Sequence, residues 1–97
     1  MPDESMGDGN TLADKAIELV YGDRYETYGH PADVYQHVAN LWSGYLREPI
    51  STEDVALLMV LFKVGREMER HTDDNVVDAH GYLLVYERIR AREDGRE

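Results

Sequence analysis

Ninety-seven residues without a cysteine are enough for one compact domain, and they exclude disulfides, thiolate metal sites and a cysteine nucleophile. Twenty acidic against ten basic side chains give a formal charge of −10, which repels nucleic-acid backbones and anionic lipid and argues against general DNA binding. The start, MPDESMGDGN, lacks the basic head and apolar run of a secretion signal, and no stretch approaches a membrane span, so a cytoplasmic location is expected, that of the host cell if the source is viral.

Residues 1–10 are acidic and aperiodic and read as a disordered arm, ahead of a single helical domain over 11–92 and a frayed tail over 93–97. Thr11 is placed to cap a first helix, in which Leu12, Ala16, Leu19 and Val20 recur at helical spacing until Gly22. The segment GDRYETYGHP has two glycines, a proline and two tyrosines and reads as a structured loop. Pro31 opens a second helix with an apolar stripe of Val34, Val38, Leu41, Trp42 and Tyr45. Ser51 caps a third, with Asp54 at the capping-box position. Its first turns, VALLMVLF, are apolar on every face, so the third helix is expected to be the core of the fold. Asp73 or Asp74 is expected to cap the fourth, which carries Val76, Val77, Leu83, Leu84, Tyr86 and Ile89. The pattern predicts an all-α, four-helix bundle-like fold with a central antiparallel hairpin of helices three and four. A chain this short buries limited apolar surface alone, and a homo-oligomer is expected.

Taking Thr72 as the midpoint of the hairpin puts Arg66 level with Asp78, Arg70 with Asp74, and Lys63 near Gly81 and Tyr82. Asp74, Asp78, Gly81 and Tyr82 share one face of the fourth helix, and Gly81 is expected to let the hairpin backbones approach. One reading of this ladder is purely structural, as two ion pairs. The other is a site for a phosphorylated ligand, with Lys63 and Arg66 on phosphate oxygens and Asp74 and Asp78 orienting them or holding Mg²⁺, which needs only one or two carboxylates from the protein. Ahead of the second helix, Arg24 and His30 are candidates for gripping a phosphate at the helix N-terminus, and Tyr28 for stacking on a base. A turn followed by a proline at the first helical position explains Gly29 and Pro31 without any ligand. No Ser-His-Asp set, phosphate-binding glycine loop or zinc signature is present.

The series ELVYGDRYETYGHP, VANLW, PISTEDVALLMVLFKVGRE and DNVVDAHGY resembles a family of short, uncharacterised, phage-encoded helical proteins. The likeness spans roughly residues 16 to 86. More distantly it is similar to the MazG-type all-α nucleoside triphosphate pyrophosphohydrolases and to the nucleotide-modification-associated helical domains of phages. That resemblance implies dimers or tetramers that bind a nucleotide between helices and use Mg²⁺ held by carboxylates. The glutamate-rich E-E-x-x-E set of the MazG pattern is missing, with Lys63 and Arg66 on the comparable helix, and only the Asp74 and Asp78 side is retained.

Three functions follow. In the leading one, a (d)NTP pyrophosphohydrolase, Lys63, Asp74 and Asp78 are catalytic, Asp74 and Asp78 ligate Mg²⁺, and Arg24, Tyr28, His30, Lys63, Arg66 and Tyr82 bind the nucleotide. The others are a non-catalytic nucleotide-binding or sequestering module, and a structural or interaction protein of a virus whose charge cluster serves only the fold.

Overall fold

Each helix of the protein begins where a side chain satisfies backbone N–H groups that have no partner one turn earlier. The computed structural model describes residues 11–21 and 29–95. Within them lie α1 (Leu12–Tyr21), α2 (Pro31–Leu46), α3 (Thr52–Glu69) and α4 (Asp73–Glu93), with no strand among the described residues. The expected acidic arm over 1–10 and the loop residues 22–28 lie outside the described residues.

Thr11 and Asp14 form a reciprocal box at the head of α1. The Asp14 N–H donates to Thr11 Oγ1 and the Thr11 N–H to Asp14 Oδ2, both at 3.1 Å. Ser51 and Asp54 repeat it at α3, at 3.0 and 2.9 Å. Before α2, Gly29 takes a left-handed φ of 83°, His30 is the cap and Pro31 stands in the first turn. The cap of α4 corrects the expectation of an aspartate. Thr72, in extended backbone, accepts from the Asn75 N–H at 3.1 Å, while Asp73 and Asp74 sit in the first turn, where their charge meets the positive end of the helix dipole. Between α2 and α3, Ser43 Oγ accepts from the Ile50 N–H at 2.9 Å and donates to its carbonyl at 3.2 Å, clamping the turn.

The centre of the fold is α4, which packs against α1, α2 and α3, and this corrects the assignment of the core to the third helix. The buried cluster takes Val20 from α1, Ala56 from α3, and Val85 and Ile89 from α4, with Ala32 and Tyr35 of α2 packed against it. With α1 packed on α4, no described residue covers the far side of α3, which buries only Thr52, Val55 and Ala56 in its first turns. The orientation of α2 differs too. Ala39 is its fully buried residue, while Leu41 and Tyr45 of the expected core stripe are 72 % and 87 % exposed. The small side chain lets the backbones approach closely on the Ala39 face; Val34, Val38 and Trp42 of the stripe are half-buried beside it, and Leu41 and Tyr45 are turned away.

The cap assignment has a direct check by urea unfolding. Thr72→Ala is expected to lower stability by about 1 kcal/mol, whereas Asp73→Ala and Asp74→Ala each lower it by only a few tenths, about what a dipole contact contributes.

Candidate functional site

The three residues between α3 and α4, Arg70–Thr72, bring the two helices back antiparallel, and the polar side chains near the turn meet across the hairpin. Lys63 Nζ lies 2.9 Å from Asp78 Oδ2, with the lysine side chain 18 % and the carboxylate 38 % exposed. This corrects the expected Arg66–Asp78 pair. The turn is centred on His71 and not on Thr72, so Lys63 faces α4, while Arg66, three residues further on, points to solvent with its guanidinium 5.8 Å from the Phe62 ring centre. The expected Arg70–Asp74 pair does not form. Arg70 caps the C-terminus of α3, both side chains are exposed, and neither makes an ion pair among the described residues.

The middle rung is Glu67, which the sequence reading passed over. Its Oε1 accepts from the Thr72 N–H at 3.1 Å and from Asn75 Nδ2 at 3.3 Å, and its Oε2 pairs with His71 Nδ1. Asn75 Nδ2 also donates to the Arg70 carbonyl at 3.2 Å, and Asp73 Oδ1 lies 3.4 Å from His71 Nε2. The legible signal was the Glu67 to His71 spacing of one helical turn at the end of a helix. The His71 contact first, then the Thr72 and Asn75 donors, hold the Glu67 carboxyl below its ordinary range. Glu67 first, and then Asp73, hold the His71 imidazole above its own.

Beside the Lys63–Asp78 contact are two hollows. Asp78, Gly81 and Tyr82 join Val20 of α1 and Tyr35 of α2 around one of about 100 Å³. Lys63 borders the other, an apolar groove of about 340 Å³ between α3 and α4 lined also by Val64, Met68, Ala79 and Leu83. Gly81 does not serve the hairpin approach expected of it: it faces α1, where an added Cβ would sit 3.6 Å from Val20 Cγ2, an ordinary contact distance. Tyr82 is half-buried on the small hollow, and Asp74 lies outside it, exposed. His30 turns its Nδ1 to the Ala32 N–H at 3.0 Å, so this nitrogen serves as the cap of α2 and not as a phosphate donor. Arg24 and Tyr28 lie outside the described residues. Arg88, buried on α4 with its guanidinium 4.6 Å from the Tyr21 ring centre, was missed. Its one trace in the sequence is an arginine in the apolar phase of the helix, three residues after Val85.

The donor set does not fit a Mg²⁺ centre. Asp78 spends an oxygen on an ammonium, Asp74 stands exposed one turn away, and no group of three or more metal-binding side chains converges among the described residues. Among those residues, also, no helix is long and apolar enough to cross a membrane.

A four-helix domain with a charged hairpin and two shallow hollows is the class that fold and site define. The chain belongs to the family described as "Domain of unknown function (DUF6378)", which matches residues 11–90. It is 39 % identical over 80 residues to the Gene 55 protein of Mycobacterium phage D29, and 39 % identical over 83 residues to the Gene 55 protein of Mycobacterium phage L5. The alignments cover 81 % and 84 % of this chain and 53 % of each phage protein, so the chain spans about half the length of the curated relatives it matches. No solved structure matches.

Two measurements probe the hairpin charges. A group held above its ordinary value contributes stability that is fully present below that value and lost as pH rises through the folded value. His71 is such a group, with an ordinary value of 6.5. For Glu67, held below 4.5, the contribution is present above that value and lost as pH falls through the folded one. The stability difference between wild type and His71→Ala, from urea unfolding across pH, should therefore be largest between 4.5 and 6.5 and shrink on both sides. A difference independent of pH would remove the assignment. For Lys63 and Asp78, a double-mutant cycle with Lys63→Met and Asp78→Asn should give a coupling of no more than about 1 kcal/mol, because solvent reaches the carboxylate.

Proposed function

We propose that this chain is a nucleotide-handling domain that binds a nucleotide, or a small molecule carrying the same phosphate chemistry, at the Lys63–Asp78 edge of the hairpin. The observation that carries the reading is a lysine with its side chain only 18 % exposed, held by Asp78, whose carboxylate borders a hollow lined by Tyr35, Gly81 and Tyr82. Lys63 supplies charge for a phosphate oxygen, and Arg66, one turn along α3, is an exposed second cation on the same helix. Tyr35 and Tyr82 offer rings to a base or sugar. The 100 Å³ hollow takes a fragment of a nucleotide and not the whole, since pockets for whole ligands run to about 300 Å³ or more, so the phosphates in this reading lie outside it, along α3.

The finer form of the reading is a MazG-like (d)NTP pyrophosphohydrolase of phage nucleotide metabolism, with Asp74 and Asp78 on Mg²⁺. We place binding ahead of hydrolysis, because Asp78 meets Lys63 and Asp74 stands exposed outside the hollow. The mycobacteriophage relatives support a setting in phage biology and carry no activity in their names.

A thermal-shift screen of nucleoside mono-, di- and triphosphates, each with and without Mg²⁺, followed by product analysis of every hit, tests this directly. At least one nucleotide should raise the unfolding midpoint, and Lys63→Met should abolish that rise. Gly81→Ala separates ligand from fold. In a helix interior with room for a methyl group it should raise stability by about 0.5–1 kcal/mol, yet weaken the nucleotide shift by filling the hollow. If no nucleotide moves the midpoint, or if both variants respond as wild type does, the reading fails. Pyrophosphate release with Mg²⁺ would restore hydrolysis to first place.

A further inference from the structure

We propose that the outward face of α3 is the surface on which two copies of this chain pair, antiparallel and about a two-fold axis. The helix is apolar all round over VALLMVLF, yet the protein covers only one side of it. Leu57, Leu61, Val64 and Met68 follow one another at spacings of four, three and four, and they are 40 %, 64 %, 45 % and 83 % exposed. That spacing is the seam of a left-handed coiled coil. Leu58 and Phe62 flank it, both exposed. Together these side chains expose on the order of several hundred Å² of apolar surface, at the upper end of what a monomer presents and approaching the ~800 Å² per partner that a stable interface uses.

Two features of the chain point to a second copy as the occupant. First, the buried set among the described residues is meagre for a free-standing domain: of eight buried apolar residues three are alanines, and the largest fully buried side chains there are Ile89 and Val55. The leucines and the phenylalanine that would make a substantial core are on the α3 face instead. Second, the face is self-complementary. Running α3 antiparallel to its copy, with the axis between Phe62 and Lys63, sets Leu57 opposite the partner's Met68 and Leu61 opposite the partner's Val64, four knobs from each side in one seam. The same register places the acidic first turn, Glu53 and Asp54, at the end of the partner helix that carries Arg70, and it opposes the two helix dipoles. The seam residues carry no charge, although the chain as a whole carries −10. Lys63 and Glu67 of the same stretch are engaged with Asp78 and Asn75 of α4, on the other side of the helix. The groove between α3 and α4, with Val64 and Met68 on one wall and Leu83 on the other, extends the apolar surface from the seam.

Sedimentation equilibrium of the full chain reads the prediction. Wild type should behave as a particle of twice 11.1 kDa. Association should tighten as salt is added, because the buried surface is uncharged and salt screens only the repulsion between two acidic copies. Leu61→Glu and Met68→Glu, both at positions open to solvent in the single chain, should keep the helical circular dichroism and weaken self-association by about 100-fold or more, a loss of about 2.7 kcal/mol. Leu41→Glu, on the exposed row of α2, is the control and should still dimerise. The chain has no cysteine of its own, so orientation is read by oxidation of single-cysteine variants. Mixed Leu61→Cys and Val64→Cys chains, which face each other across the axis, should cross-link, and Leu57→Cys should not cross-link to its own copy. A wild-type monomer at about 100 µM, a concentration that populates any dimer of micromolar affinity, would overturn the proposal. So would dimers indifferent to both glutamates, or cross-linking of Leu57→Cys to its own copy in place of the Leu61–Val64 pair.

Discussion

The register of the α3–α4 hairpin, marked by the contact between Lys63 and Asp78, is the constraint on which the remainder of the structure depends. An antiparallel pair of helices joined by three residues has few ways to slide, but each residue of shift rotates a helix by roughly 100° and exchanges the side chains that face its neighbour. With the turn centred on His71, the facing row is Lys63 and Glu67 against Asp78 and Asn75, and each polar group meets one of opposite charge or opposite hydrogen-bonding sense. A register centred on Thr72 would have offered Arg66 and Arg70 to Asp78 and Asp74. Four charges are then held between two helices, whereas in the observed arrangement both arginines and Asp74 remain hydrated. The lower desolvation cost of the observed row is a sufficient reason for it.

The same register decides which surfaces are left over. With α4 in contact with every other helix, α3 is a flank and not a centre, and its bulk lies outside. The interior is built at positions of small or medium side chains, Ala16, Ala39, Ala56, Val20, Val85 and Ile89, so the helices approach closely but bury little area. A domain of this kind gains more from covering its apolar flank than from any adjustment of its core, since stabilisation follows the area removed from water.

The proposed ligand site and the proposed pairing surface lie on different faces of α3, adjoining at the groove that Lys63 borders, and draw on different chemistry. On the hairpin side a phosphate would compete with Asp78 for Lys63, so ligand binding and the bridge exclude each other in part, and affinity depends on how far the carboxylate can turn to solvent. On the outer side there is no charge to compete for. The two readings therefore stand or fall separately.

Much of the local chemistry was legible in the sequence. Thr11 as the cap of α1, the Ser51–Asp54 box, Pro31 in the first turn of α2 and the helices described are fixed by interactions within one turn of chain, which a residue spacing specifies, whereas the caps at Thr72 and His30 and the partner role of Asp14 were not read from it. What the tertiary structure alone decided was rotation. A helix apolar on all sides over its first turns, as α3 is, carries no phase to say which side faces in. In α2 the inward face is centred on Ala39, which leaves Val34, Val38 and Trp42 half-buried and Leu41 and Tyr45 outside, because close backbone approach is a property of two helices together. For the same reason the expected cations and the observed ones differ by one helical turn. Spacing told that charges would meet across the hairpin, but only the packing of α1 and α2 on α4 chose Lys63 over Arg66 as the one turned inward.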